Sequence, residues 1–171
     1  VFSSLPAGAK KPEYLFWVGC AGAFDDRYKK VARAFVKILT HLQVNYAVLG
    51  KEESCTGDPA RRAGNEMLYQ MQALQNIETF KKYDIRKIIT ICPHCYNIFK
   101  NEYPDLGGHY EVIHYVQFLD ELIRNGKLKP NKALYKETRI TYHDPCYLGR
   151  ANDIYSEPRA SLESLTGNLV E

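Results

Sequence analysis

The sequence predicts an α/β domain, a Rossmann-like, mainly parallel sheet with helices on both faces. Three observations predict it. Short apolar or β-branched runs, such as Tyr14-Leu15-Phe16-Trp17-Val18 and Lys87-Ile88-Ile89-Thr90-Ile91, alternate with stretches of helical periodicity. The runs are apolar on both faces, as strands are when helices cover a parallel sheet. Four of the five cysteines follow such runs at or near their carboxyl ends, where sites form in open α/β sheets.

At 171 residues the chain is long enough to bury a core. Apolar residues make up 45% and charged residues 25%, as in ordinary globular proteins. The net charge of +3, with both signs mixed, is too mild to argue for nucleic acid or an anionic membrane. No run approaches the roughly 20 apolar residues of a membrane span, and Val1 to Lys11 lacks the apolar centre of a signal peptide. These features lead to the expectation of a cytoplasmic setting. The chain starts at Val1 rather than Met and is expected to be a segment of something longer.

Residues 1–12 read as a flexible lead-in and 13–138 as a first cysteine-rich α/β domain. The first strand ends in a tight turn, Gly19-Cys20-Ala21-Gly22, and Asp25 or Asp26 caps a helix carrying Val31, Phe35, Ile38, Leu39 and Leu42. Asn45 to Leu49 is a second strand. A loop through Cys55 leads to Pro59, which opens a helix to about Phe80 with Met67, Met71, Leu74 and Ile77 expected on its core face. Arg86 to Ile91 is the third strand, followed by a short helix to about Glu102. Tyr110 to Ile113 is a fourth strand, Val116 to Ile123 a helix, and Lys127 to Glu137 a basic connection. Arg139 to Tyr142 is expected as a fifth strand leading to Cys146, with a weak helix from Pro158 to Leu165.

The sharpest chemical signal is Cys92-Pro93-His94-Cys95 at a strand-to-helix turn. Backbone N–H groups and the positive end of the helix there favour thiolates. Thirty-four residues separate Cys20 from Cys55 and thirty-six separate Cys55 from Cys92, which suggests one cysteine-bearing loop per strand–helix unit. Five cysteines without a secretory signal read as metal or redox ligands rather than a disulfide framework. A lone cysteine at a strand end is often mere packing; the Cys-x-x-Cys pair argues otherwise. Zinc, an iron–sulfur cluster and a dithiol all remain open. The dithiol leaves Cys20 and Cys55 idle, and the two single, distant ligands favour a cluster over zinc knuckles. His94 is expected to point outward, and His143 to order its loop. Asp58, Arg61 and Arg62 beside Cys55 form a capped helical turn, or tune the charge of a site or dock a partner. No general base, nucleophile triad or phosphate loop marks a catalytic residue.

Four ordered motifs carry a resemblance. They are Trp17-Val18-Gly19-Cys20, the stretch Glu53 to Glu66 with Cys55-Thr56-Gly57, Cys92-Pro93-His94-Cys95, and His143-Asp144-Pro145-Cys146-Tyr147-Leu148-Gly149-Arg150. Together they resemble the cysteine-rich (CCG) domain proteins, including heterodisulfide reductase catalytic subunits and related iron–sulfur oxidoreductases. The resemblance implies an electron-transfer domain in which Cys20, Cys55, Cys92 and Cys95 hold a [4Fe-4S] cluster. It also implies that 139–171 begins a second, truncated repeat with Cys146 as its first ligand. A redox partner such as a flavoprotein or a ferredoxin-like segment, and a remainder of the chain that reaches the inner face of a membrane in some relatives, are implied too. Thr56 departs from the family pattern. It stands where a second adjacent cysteine supports non-cubane clusters, so an ordinary cubane, or Zn²⁺ in a structural scaffold, fits this set better. A third alternative is dithiol chemistry at Cys92 and Cys95.

Overall fold

The computed structural model describes residues 1–5, 10–131 and 135–170. Part of the lead-in (6–9), part of the basic connection (132–134) and residue 171 lie outside the described residues. The described residues form two compact units, Val1–His114 and Tyr115–Glu171. Among them, no helix is long and apolar enough to cross a membrane.

The first unit is an all-parallel sheet in the order β2-β1-β3-β4, with β1 at Tyr14–Trp17, β2 at Tyr46–Ala47, β3 at Lys87–Thr90 and β4 at Glu111–His114. Leu15 pairs with Ile88, Phe16 with Ile89 and Trp17 with Thr90, so successive β1 side chains leave on opposite faces. On one face Phe16 meets Phe35 of α2 (Asp26–His41) at 5.4 Å between rings. On the other, Trp17 stands edge-on to Phe80 of α4 (Glu66–Lys82) and Phe99 of α5 (Pro93–Asn101), at 5.7 and 4.9 Å. Helices therefore cover both faces of β1, and its apolar run has no water-facing side. Chain order reverses between β1 and β3, whose carboxyl ends lie side by side.

Local chemistry sets the helix ends. Asp25 accepts from the backbone N–H groups of Arg27 and Tyr28 and starts α2. The expected turn at Gly19 to Gly22 is helical instead, as α1 (Gly19–Phe24). The single helix expected from Pro59 to Phe80 is two. The first, α3 (Asp58–Arg62), closes with Gly64 at φ +83°, Gly64 N bonded to Arg61 O and Asn65 N to Ala60 O, a glycine-terminated C-cap. Asn65 then accepts from Leu68 N and starts α4. The restart sets the phase of α4. Tyr69, Ala73, Asn76, Ile77 and Phe80 are buried, whereas Met67 (74% exposed), Met71 (62%) and Leu74 (46%) face outward. The expectation of Met67, Met71 and Leu74 as core residues is thus corrected; of the expected face only Ile77 is core.

Ahead of β1, the lead-in is anchored at both ends of its described residues, at Phe2 and at Lys11, which pairs with Asp84 and whose carbonyl accepts from Asn45 Nδ2 at 2.7 Å. Phe2 is buried, its ring 5.3 Å from that of Tyr83 and its N–H bonded to Val48 O.

In the second unit α6 (Tyr115–Arg124) packs against α8 (Ser156–Glu163), and α7 (Gly149–Asn152) lies between them in sequence. The fifth strand expected at 139–142 does not join the sheet. Ile140 makes a single parallel bridge to Leu169, and Arg139 and Thr141 on either side are exposed. One apolar residue among polar ones buries too little surface to hold a strand.

The phase of α4 is testable by substitution. Met71→Gln is expected to change stability by less than about 0.5 kcal/mol, as exposed sites do. Ile77→Ala is expected to cost ~2–4 kcal/mol. Urea denaturation of the two variants checks the order.

Candidate metal centre

The adjacent ends of β1 and β3 bring two cysteine segments together. The chain leaves β1 through Val18 and turns at Gly19, whose φ of +74° is left-handed and favours glycine. A methyl group on Gly19 would stand 3.5 Å from Cys95 Sγ and 3.9 Å from Cys92 Cβ, so bare backbone lies against the Cys-x-x-Cys pair. Cys20, in the first turn of α1, is exposed. Cys92 immediately precedes α5 and Cys95 sits buried in its first turn.

Cys55 arrives on the loop after β2, and two polar anchors hold that loop. The Glu53 carboxylate accepts from Gly19 N at 2.6 Å and Val18 N at 3.2 Å, tying the Cys55 loop to the Cys20 turn. Asn76, buried in α4, donates to Cys55 O at 2.9 Å and accepts from Ser54 Oγ at 2.9 Å. Tyr103 Oη donates to Thr56 O at 3.1 Å and accepts from the side-chain amide of Asn76. Gly57, at φ +88°, donates its N–H to Cys55 Sγ at 3.4 Å. A methyl group there would meet Tyr69 Cδ2 at 2.8 Å.

Cys20, Cys55, Cys92 and Cys95 line one cavity of about 430 Å³, with Trp17 and His94 in its wall. The cysteine pair shares its proton unequally. A hydrogen bond from Cys95, the backbone N–H groups of Cys95 and His94, and the charge of His94 bring Cys92 down to about 6 against burial. The bond to Cys92 and full burial push Cys95 well above the usual thiol range; the nearby Trp17 indole opposes this, but more weakly. At neutral pH the pair is a Cys92 thiolate beside a Cys95 thiol. Trp17 is fully buried, and its Nε1 has no partner at normal hydrogen-bond geometry.

Among the described residues, no three His, Cys, Asp or Glu side chains stand close enough to hold one metal ion. A tetrahedral zinc with bonds of about 2.3 Å needs its sulfurs about 3.8 Å apart. Four cysteines lining one cavity are a donor set that fits an iron–sulfur cluster.

The charged residues beside Cys55 are engaged with one another. Arg61 and Arg62 reach Glu102 at 2.7 and 2.6 Å and so join α3 to the end of α5. Asp58 is buried, 3.4 Å from Arg62 Nε and 2.8 Å from His94 Nδ1, which turns His94 toward Asp58. Arg61 and Arg62 close the last turn of α3, where a cation suits the helix dipole, and both meet Glu102. Cys146 and His143 lie in the second unit, near an Asp144–Arg159 ion pair of 2.8 Å, and Cys146 is exposed.

The sequence alone assigns no role to Glu53, Asn76 or Tyr103. Asn76 leaves one signal there, a polar residue in phase with Ala73, Ile77 and Phe80.

This arrangement defines an α/β domain that collects cysteines at the carboxyl edge of its sheet. Residues 14–100 and 140–171 match the cysteine-rich domain (CCG) family model, and the chain belongs to that family. It is 50% identical over 98% of its length to an EtfAB:quinone oxidoreductase of Syntrophomonas wolfei. It is 51% identical over 95% to a probable iron-sulfur-binding oxidoreductase, FadF, of Bacillus subtilis. It is also 33% identical over 92% to one of the polypeptides of the dihydromethanophenazine:CoB–CoM heterodisulfide reductase of Methanosarcina mazei. The chain spans 23% of the length of the first two relatives and 39% of the third. No solved structure matches it.

The anchoring of the Cys55 loop can be measured directly. Asn76→Leu keeps the branched shape but strips Ser54 Oγ, Cys55 O and Tyr103 Oη of a partner. A loss of ~2 kcal/mol is expected, with faster alkylation of Cys55 in metal-free protein.

Stability against pH reads two further groups. Burial raises Glu53 from 4.5 to about 7, so its contribution is whole below 4.5 and is lost as pH rises to about 7. Burial lowers His114, at the end of β4, from 6.5 to about 4, so its contribution is whole above 6.5 and is lost as pH falls to about 4. Each is worth ~3 kcal/mol, and the two nearly cancel between pH 4.5 and 6.5. In urea titrations of metal-free protein, Glu53→Gln is expected to make stability rise with pH over that window. His114→Phe is expected to make it fall.

Proposed function

We propose that this domain holds a [4Fe-4S] cluster in Cys20, Cys55, Cys92 and Cys95 and passes electrons within a larger iron–sulfur oxidoreductase. The observation that supports this best is the single cavity lined by all four cysteines at the ends of β1 and β3. A bound cluster supplies one-electron redox chemistry.

The chain's own residues prepare the site. Cys92 enters as a thiolate at neutral pH. Gly57 N–H, and the N–H groups of His94 and Cys95, donate toward sulfur and favour negative charge there. Gly19 lets the backbone close on the pair without a side chain between. Asn76 and Glu53 fix the Cys55 loop. Burial of Cys95 keeps water from one side of the cavity. The set lacks a second adjacent thiol because Thr56 occupies that place, which favours a cubane over the non-cubane type.

In this reading, 139–171 opens a second copy of the fold with Cys146 as its first ligand; the separate family match at 140–171 supports it. The first domain is 13–138. Electrons arrive from a flavoprotein or ferredoxin-like segment, and the name of the Syntrophomonas relative points to EtfAB and quinone as the two ends of the route. The work is done in the cytoplasm, or at the inner face of a membrane through the remaining segments.

A second reading has one observation in its favour. The unequal proton sharing of Cys92 and Cys95 is also what dithiol–disulfide exchange uses.

Anaerobic purification with iron and sulfide analysis separates the two. About four iron and four acid-labile sulfide per chain, with absorption that bleaches on reduction, are expected, and Cys55→Ser should lose the cluster. A colourless protein without iron, whose thiol exchange survives Cys55→Ser, would leave the dithiol in its place.

A further inference from the structure

We infer that Trp17 is a hydrogen-bond donor to the sulfur-rich group held by the four cysteines, and that this bond raises the group's reduction potential. The inference rests on the cluster reading above and adds a positioning and tuning residue to it.

The Trp17 indole is fully buried at the carboxyl end of β1, on a residue paired with Thr90 of β3. An indole N–H is a donor only, and buried donors almost always find an acceptor. Trp17 Nε1 has none at normal hydrogen-bond geometry. Its ring is held edge-on by Phe80 and Phe99, with interplanar angles of 84° and 85°, so it has no freedom to seek another acceptor. A phenylalanine would pack on the same two rings and leave no donor unmet.

The edge that carries Nε1 faces the cysteines. Trp17 lines the cavity. The bare face of Gly19 is shared by Trp17 Cδ1, the carbon bonded to Nε1, at 3.9 Å and Cys95 Sγ at 3.5 Å from one methyl position. The acceptor within reach is therefore sulfur, and anionic sulfur accepts better than a thiol. A donor to cluster or ligand sulfur stabilises the more negative, reduced state and raises the potential.

The test compares the full wild-type chain with Trp17→Phe after anaerobic loading with iron and sulfide. It reads iron per chain, midpoint potential and the ultraviolet resonance Raman band of the indole N–H. Trp17 is the one tryptophan in the chain, so the band has a single source.

Equal iron is expected in both proteins. The variant's reduced-to-oxidised ratio should fall about tenfold, equivalent to about 59 mV for one electron. The wild-type indole band should move to its hydrogen-bonded position on loading. Equal iron with equal potentials would overturn the inference and leave the cluster reading standing. If Trp17→Phe fails to load, the wild-type band decides: a shift on loading supports the bond, and an unmoved band overturns it. A wild type that takes up no iron overturns both readings together.

Discussion

The parallel pairing of β1 with β3 is the constraint on which the rest depends. It joins strands that are far apart in the chain, Leu15 beside Ile88, and each delivers its cysteines from the same edge. The pairing is held by an apolar run that has no polar face to turn toward water. Leu15 and Trp17 face one helical layer and Phe16 the other. A slip of one residue would send Trp17 to the wrong side and Gly19 away from Cys95. Core packing and site geometry are therefore one problem here, solved by one register.

The site shows how a chain prepares for charge mainly with hydrogen-bond donors, the charge of His94 adding the smallest share. Cys92 is drawn toward the thiolate chiefly by a neighbouring thiol and by donors from its own turn. The arginines nearby are instead occupied with Glu102 and serve the joint between α3 and α5. The anchors of the Cys55 loop are polar groups in buried or half-buried places, an amide and a carboxyl. Each gains from partial satisfaction, and each would be costly if its partner were removed.

The strands around the site are legible in the sequence because Tyr14 to Val18 and Arg86 to Ile91 are strongly apolar and β-branched. The cysteine spacing is legible as well, since loops at strand ends need not be near in sequence to be near in space. The phase of α4 is not. Met67, Met71, Leu74 and Ile77 fit helical periodicity as well as the buried set does. The residue pair that decides between them, Gly64-Asn65, reads as an interruption only when glycine is taken as a helix end. The expected fifth strand fails because alternation over four residues says little without burial behind it. Glu53 and Asn76 escape a sequence reading, for their bonds reach 34 and 21 residues along the chain.

The unequal depth of the cysteines gives the site an order in time. Cys20 lies at the surface, Cys55 and Cys92 are half-covered, and Cys95 is sealed in the core. Peroxide or an alkylating reagent coming from solvent therefore reaches Cys20 well before Cys95, which stays sealed behind it. Damage begins on a short helix of six residues whose first N–H hangs from Glu53, rather than at the cysteine on which the core is packed. Loss at that outer corner takes away one thiolate without touching the packed side chain of Cys95.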